Sequence, residues 1–500
     1  MLFISWEFVA FLTLVLAGLR LMPTRESRQA LLLIASAVFY GSHTPWHLLI
    51  LACPSLIDFA CAARIEDTED QATRKRWLML SLVSNLGLLG YFKYADFFAD
   101  SIGALLGVTT IPLGLALPLG ISFFTFKTLS YTIDVYRREI PACRSMWKYA
   151  MFVSYFPELV AGPIVRASVF LPQMERKLEP SRERTMVGLQ LILLGVTKKL
   201  FVADRLATLV NPVFAAPEAY SQLTVISAVV AYSLQIYCDF SGYSDMAIGV
   251  SRIIGFDLPE NFNMPYIATS ITEFWRRWHI TLSQWLRDYL YVPLGGNRKG
   301  ARRTYVNLMI TMLLGGLWHG AAWTFVAWGL LHGVGLAVHK LWTKHASGGR
   351  RPFHGVVGWL LTYSFVCLAW VFFRAPDFTT ALLMVKKICG LEPGGASWVY
   401  LPLFLILPLV IAAHAAGIWI ARQERKTATK PEQWVPAPAF ASRVYDAVGR
   451  GIGLRPHRAA GLYLLLPRPG FVSAFVLTIW LFGLFLFSPV HTRPFIYFQF

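Results

Sequence analysis

Runs of apolar residues long enough to cross a bilayer recur through this chain, and they restrict its fold more than any other feature. A membrane-spanning helix needs roughly 20 predominantly apolar residues. Segments 3–20, 47–63, 77–94, 398–421 and 469–489 meet this without strain. Segments 112–136, 186–204, 222–254, 305–341 and 354–373 are also apolar but are interrupted by Gly, Pro or polar side chains. Of the 500 residues, 15% are charged and 56% hydrophobic, whereas a soluble protein carries about a quarter charged. The expected fold is an all-α polytopic integral membrane protein of about ten to twelve membrane helices, with re-entrant or tilted helices besides.

Residues 3–20 lack the basic leader and small-residue cleavage site of a removable signal, so they read as a retained first helix. The final helix is expected over about 469–489. The formal net charge of +18 comes from 46 Lys and Arg against 28 Asp and Glu. Basic loops that hold topology explain this excess. No aromatic and basic residues interleave on a soluble face, which excludes nucleic acid as a partner. Residues 421–460 carry eight basic residues against three acids and are broken by Pro431, Pro436 and Pro438, so they read as a cytoplasmic loop. Residues 294–304, LGGNRKGARRT, have four basic residues, no acid and the same expected side. The six cysteines show neither CxxC nor Cys/His ligand spacing, so no disulfide framework and no metal site is expected.

Three regions place polar groups inside apolar runs, where an unpaired ionisable group costs at least a few kcal/mol. In 237–249, YCDFSGYSDMAIG, Asp239, Ser241, Ser244 and Asp245 surround Gly242, which reads as a break in a re-entrant or broken helix lining a polar cavity. Internal pairing of these carboxylates is the competing reading. In 273–297, a continuous helix stacks Trp275, His279 and Ser283 on one face, beside a stripe of Trp278, Leu282, Trp285 and Tyr289. Arg276, Arg277 and Arg287 suit either a phosphate-bearing donor or lipid phosphates. In 305–335, His319 sits in LLGGLWHGAAW, followed by His332 and His339. The glycines there allow close helix packing or the passage of a narrow channel.

Spacing alone leaves His319 open between a packed core histidine and a catalyst. The chemistry open to it is specific: a neutral imidazole takes a proton from an attacking alcohol and returns it to the leaving group. A dry site also keeps water from an activated acyl donor. No GxSxG elbow, P-loop or HExxH sequence is present. Residues 112–120, PLGLALPLG, lack a following GK[ST] and read as a kinked membrane segment.

Five stretches in order carry a resemblance: PLGISFFTFKTLSYTIDVYR (118–137), FPELVAGPIVR (156–166), QIYCDFSGYSDMAIG (235–249), FWRRWHITLSQWLRDYLYVPLGGNRKG (274–300) and MLLGGLWHGAAWTFVAWGLLHG (312–333), followed by the closing PFIYFQF (494–500). The chain resembles the membrane-bound O-acyltransferase superfamily, in the bacterial branch of the alginate O-acetylation membrane protein and the D-alanyl transfer protein of teichoic acid synthesis. The resemblance runs nearly end to end and implies a single transmembrane domain over 1–500, with a catalytic core at about 112–345 and a central tunnel. It implies that His319 is catalytic and that His279 orients the acceptor hydroxyl or helps bind the donor. It further implies that Trp318, Trp323, Asp239, Ser241, Tyr243, Ser283 and His332 shape the tunnel, and that Asn297, Arg298 and Lys299 face the donor's charged part.

The expected function is therefore O-acetyl transfer from a cytoplasmic thioester, acetyl-CoA or a carrier-protein thioester, with no bound cofactor. It takes place across the bacterial inner membrane, toward an exported polysaccharide such as alginate. The resemblance also implies an extracytoplasmic esterase-like (SGNH/GDSL-type) acetyltransferase partner. The rival readings are a transporter or flippase and a scaffold of a polysaccharide-export complex. Neither a fixed-period repeat nor a matched inverted pair of broken helices is visible to support the transporter.

Overall fold

The computed structural model describes residues 1, 3–42, 44–159, 162–176, 181–345, 355–425, 471–487 and 495–496. Residues 426–460 of the expected basic loop lie outside them. The described residues are helical apart from connections and hold no named strand, with one isolated bridge between Tyr220 and Ala396. This is the only regular structure that satisfies its own backbone within one segment, as lipid demands. Four helical stretches among them are long and apolar enough to cross a membrane: His47–Asp67, Arg182–Ala215, Gln222–Ile254 and Val356–Arg374. The chain divides into two compact units, one of Met1–Pro180 with Ile254–Leu258 and one of Ser181–Ile253 with Pro259–Phe500.

The first unit carries α1 (Trp6–Leu21), α2 (Arg25–Gly41), α3 (His47–Asp67), α4 (Gln71–Leu89), α5 (Ala95–Leu106), α6 (Ile121–Tyr136), α7 (Met146–Ser154), α8 (Phe156–Leu159) and α9 (Ala167–Met174). Local chemistry starts them: Thr24 and Ser27 form a reciprocal capping box on α2, and Asp70 accepts from the first amides of α4. Buried polar pairs then tie α3, α4 and α6 together. Asp58 accepts from Ser81 at 2.6 Å and from Asn85 through both carboxylate oxygens, and the Asn85 carbonyl oxygen accepts from Thr128 at 2.8 Å. On α6, Lys127 pairs with the buried Glu158 carboxylate and donates to the Phe152 carbonyl. Residues 112–120, expected as a kinked membrane segment, carry no helix. Pro112 and Pro118 lack amide donors, and the Asp96 carboxylate takes the Leu113 amide at 2.8 Å.

The second unit carries α10 (Arg182–Thr197), α11 (Asp204–Ala215), α12 (Gln222–Ile254), α13 (Ile271–Arg277), α14 (Ile280–Leu286), α15 (Gly300–His319), α16 (Trp323–His345), α17 (Val356–Arg374), α18 (Phe378–Ile388), α19 (Leu401–Arg425) and α20 (Phe471–Phe487). A wider π turn over Lys198–Ala203 joins α10 to α11. The break expected at Gly242 is absent, because α12 runs unbroken for 33 residues. Gly242 serves a helix crossing instead. A Cβ there would lie 2.7 Å from the Gly195 carbonyl oxygen, and one on Gly195 would lie 2.4 Å from that of Gly242. Small residues let α10 and α12 touch backbone to backbone. The apolar run 305–341 divides at Gly320–Ala322 into the antiparallel pair α15 and α16, which positions His319 at the end of a helix.

Candidate active site

The segment that carries His279 is not the continuous helix expected from spacing. Helix α13 ends at Arg277 and α14 begins at Ile280, with His279 between them in the left-handed region at φ 41° and ψ 57°. Non-glycine residues adopt that conformation only when neighbours enforce it. Here the non-helical strip 261–263 does so. The Asn263 amide donates to the Arg277 carbonyl and the Ile280 amide to the Asn261 carbonyl, both at 2.9 Å. These two bonds satisfy groups that a continuous helix would have paired internally. Trp275, His279 and Ser283 therefore do not share one face: Trp275 turns to His332, and the Ser283 hydroxyl returns to the Trp278 carbonyl at 3.2 Å.

The His279 side chain is fully buried. Its Nδ1 lies 2.9 Å from Asn261 Oδ1, and its Nε2 has no hydrogen-bond partner. The ring of Phe240, from α12, meets the imidazole edge to face at 4.7 Å. His319 approaches from the end of α15, also buried, with its ring centroid 6.4 Å from that of His279. Around His319 stand Trp318 at 5.0 Å, Trp328 at 5.1 Å and Phe373 at 5.2 Å. Two imidazoles thus face each other within a wall of aromatic rings that α12, α15, α16 and α17 supply.

Two close approaches make this arrangement possible. A Cβ on Gly316 would lie 2.3 Å from the Phe325 carbonyl oxygen, and one on Gly329 would lie 2.3 Å from that of Met312. Of the two uses open to these glycines, the structure takes close packing of α15 on α16.

His332 occupies a neighbouring aromatic box. The Trp275 indole donates to its Nδ1 at 3.2 Å, and Trp328 meets the ring of His332 at 4.7 Å as well as that of His319. The carboxylates of α12 are tied internally. Asp239 pairs with Lys199 at 2.7 Å and accepts the Ile496 amide at 2.7 Å, while Asp245 pairs with Lys198 at 2.6 Å. Tyr243 stacks on Phe495 at 5.0 Å, and Ser241 is buried on the same helix. Trp323 opens α16 with its side chain more than half exposed. Asn297 and Arg298 lie on an exposed turn, where the Asn297 oxygen accepts from Tyr291 at 2.6 Å and Lys340 at 2.7 Å. Among the described residues, no group of three His, Cys, Asp or Glu side chains is placed to hold a metal ion.

Sequence reasoning missed Asn261, Trp328 and Phe373, which contact the histidines from neighbouring elements. It also missed Lys198 and Lys199, whose adjacent positive charges in the apolar run 186–204 were the available signal of buried carboxylate partners.

The profile of the MBOAT, membrane-bound O-acyltransferase family matches residues 33–376, which include both histidines and the rings around them. The chain belongs to the membrane-bound O-acyltransferase family. It is 42% identical over 395 residues to the protein named "Probable alginate O-acetylase AlgI" from Pseudomonas aeruginosa, covering 78% of this chain and 75% of that one. It is 40% identical over 391 residues to the peptidoglycan O-acetyltransferase of Helicobacter pylori, covering 72% and 73%. A more distant relative is the teichoic acid D-alanyltransferase of Streptococcus thermophilus, 28% identical over 298 residues, covering 54% of this chain and 70% of that one. The chain is thus an acyltransferase of a membrane protein family, and its fold is the polytopic helical one expected from the apolar runs.

Proposed function

We propose that this membrane-bound O-acyltransferase moves acetyl from a cytoplasmic thioester across the bacterial inner membrane, for O-acetylation of an exported polysaccharide such as alginate. The observation that carries this reading is the pair His279 and His319, 6.4 Å apart by ring centroids and both buried. Hydrogen bonds of about 2.8 Å to each ring span such a gap through one oxygen atom. In the proposed step His319 is the general base. It takes the proton of the acceptor hydroxyl as that oxygen attacks the thioester carbonyl, then passes it to the departing thiolate. His279 holds the same hydroxyl in line. The surrounding rings exclude water, which protects the thioester from hydrolysis.

The remaining residues take supporting roles in this reading. Trp318, His332, Tyr243, Ser241, Asp239 and Ser283 shape a tunnel through the second unit, and Trp323 lies at its rim. The basic turn with Asn297, Arg298 and Lys299 receives the charged part of the donor, acetyl-CoA or a carrier-protein thioester, at the cytoplasmic face. An extracytoplasmic SGNH/GDSL-type acetyltransferase takes the acetyl group onward to the polymer. Relatives named for alginate and for peptidoglycan O-acetylation support the acetyl group and the glycan acceptor. The test is His319→Ala in the producing cell, with protein level in the membrane and acetyl ester on the secreted polymer both measured. Retained acetylation sinks the reading, and lost export of a polymer that remains acetylated favours a transporter.

A further inference from the structure

We infer that Asn261 is a positioning residue that holds the proton of His279 on Nδ1 and so leaves Nε2 as a proton-free acceptor. The inference rests on the reading that His279 lies beside the transferred group. It begins from the orientation of one amide. Asn261 Oδ1 lies 2.9 Å from Thr281 Oγ1, 3.4 Å from the Thr281 amide nitrogen and 2.9 Å from His279 Nδ1. A backbone amide can only donate, so the Asn261 atom facing Thr281 is the carbonyl oxygen. The imidazole nitrogen that meets the same oxygen must then carry hydrogen. A neutral imidazole has a single N–H, so Nε2 keeps a bare lone pair. On the other side of the amide, Nδ2 reaches the Ser244 hydroxyl at 3.4 Å, which suits a donor in that position.

The same residue also fixes where the ring stands. The Asn261 carbonyl accepts the Ile280 amide at 2.9 Å, immediately after His279. One residue thus grips the left-handed turn through its backbone and the imidazole through its side chain. Everything polar that His279 touches in this way lies on its Nδ1 side. Its Nε2 is fully buried and without a partner. An acceptor left open inside an aromatic wall suits the acceptor substrate's hydroxyl, which donates to Nε2 on arrival and turns its single proton to His319 as its oxygen attacks.

The full-length protein, purified in detergent with isotope-labelled histidine, tests this by nitrogen NMR. The His279 resonances are those lost in His279→Gln. We expect Nε2 of the wild type to give a nonprotonated signal and Nδ1 a protonated one. Asn261→Asp keeps an acceptor and retains that pattern, whereas Asn261→Ala loses it. Acetyl ester on the exported polymer falls about a hundredfold in Asn261→Ala and recovers most of that loss in Asn261→Asp. In a His279→Gln background, Asn261→Ala has no further effect, because the two act as one unit. A proton on Nε2 in the wild type, or losses that add in the double variant, overturns the assignment. If Asn261→Ala does not reach the membrane, the wild-type spectrum and the Asn261→Asp variant decide it. If the tautomer is as expected but His319→Ala still supports acetylation, the functional reading falls and the role of Asn261 stands.

Discussion

Each unit of the chain buries a polar centre built around an asparagine, Asn85 in the first and Asn261 in the second, and the two centres are closed to different degrees. In the first unit Asn85 joins Asp58 on α3 to Thr128 on α6, and both oxygens of Asp58 are taken by protein donors. In the second unit Asn261 joins His279 to Thr281, yet Nε2 of His279 is buried and unpaired. Buried polar groups are normally satisfied, and an open one calls for an explanation. A closed centre stabilises helix contacts. An open one is ready for a substrate atom. Of these two asparagine centres, the contrast makes the second the candidate site.

The largest expected effect bears on the open centre. His319→Ala should lower acetyl ester on the exported polymer about a thousandfold, while an immunoblot finds wild-type protein in the membrane. A variant with half the wild-type ester would remove His319 from the chemistry and blur the contrast. Next comes Gly242→Leu at the α10–α12 crossing. Its Cβ meets the Gly195 carbonyl oxygen at 2.7 Å, so the overpacked crossing should lose about 2–3 kcal/mol. Detergent-solubilised protein should then aggregate on size-exclusion chromatography.

The closed centre should respond differently from the open one. Asp58→Ala leaves the Ser81 and Asn85 donors buried without their acceptor, at a cost of about 1–3 kcal/mol. The thermal midpoint in detergent should fall, while acetyl transfer per folded molecule stays at the wild-type rate. A selective loss of turnover at full stability would assign Asp58 a part in catalysis. The smallest effect is expected at the exposed turn. Arg298→Ala should raise the apparent KM for acetyl-CoA less than about tenfold, with turnover preserved, because exposed charges act on encounter more than on the reacting atoms.

The elements were largely legible from composition. Apolar runs 47–63, 222–254 and 354–373 became α3, α12 and α17, since a bilayer admits little else. His319 and His279 were legible as candidates because imidazoles in apolar surroundings are costly and the motifs around them are specific. The left-handed turn at His279 was not legible. Residues 273–297 read locally as one amphipathic helix, and the groups that interrupt it, Asn261 and Asn263, come from a strip that precedes α13. Gly242 misled for a related reason. A glycine in an apolar run signals either a break or a close crossing, and only the position of Gly195 decides between them.

The sequence by itself determined that this chain is a helical membrane protein of a known acyltransferase family, and it singled out two histidines as candidates for the chemistry. Those properties follow from helix hydrogen bonds that close within a few residues and from the bilayer's intolerance of unpaired polar groups. Tertiary structure alone decided that His279 leaves the helix, that Asn261 takes its Nδ1, and that the carboxylates of α12 are paired with Lys198 and Lys199. Each depends on partners that local spacing cannot bring together. Hydrogen bonds between distant segments form only after the helices have packed, and it is packing that chooses which polar atoms are satisfied and which stay open.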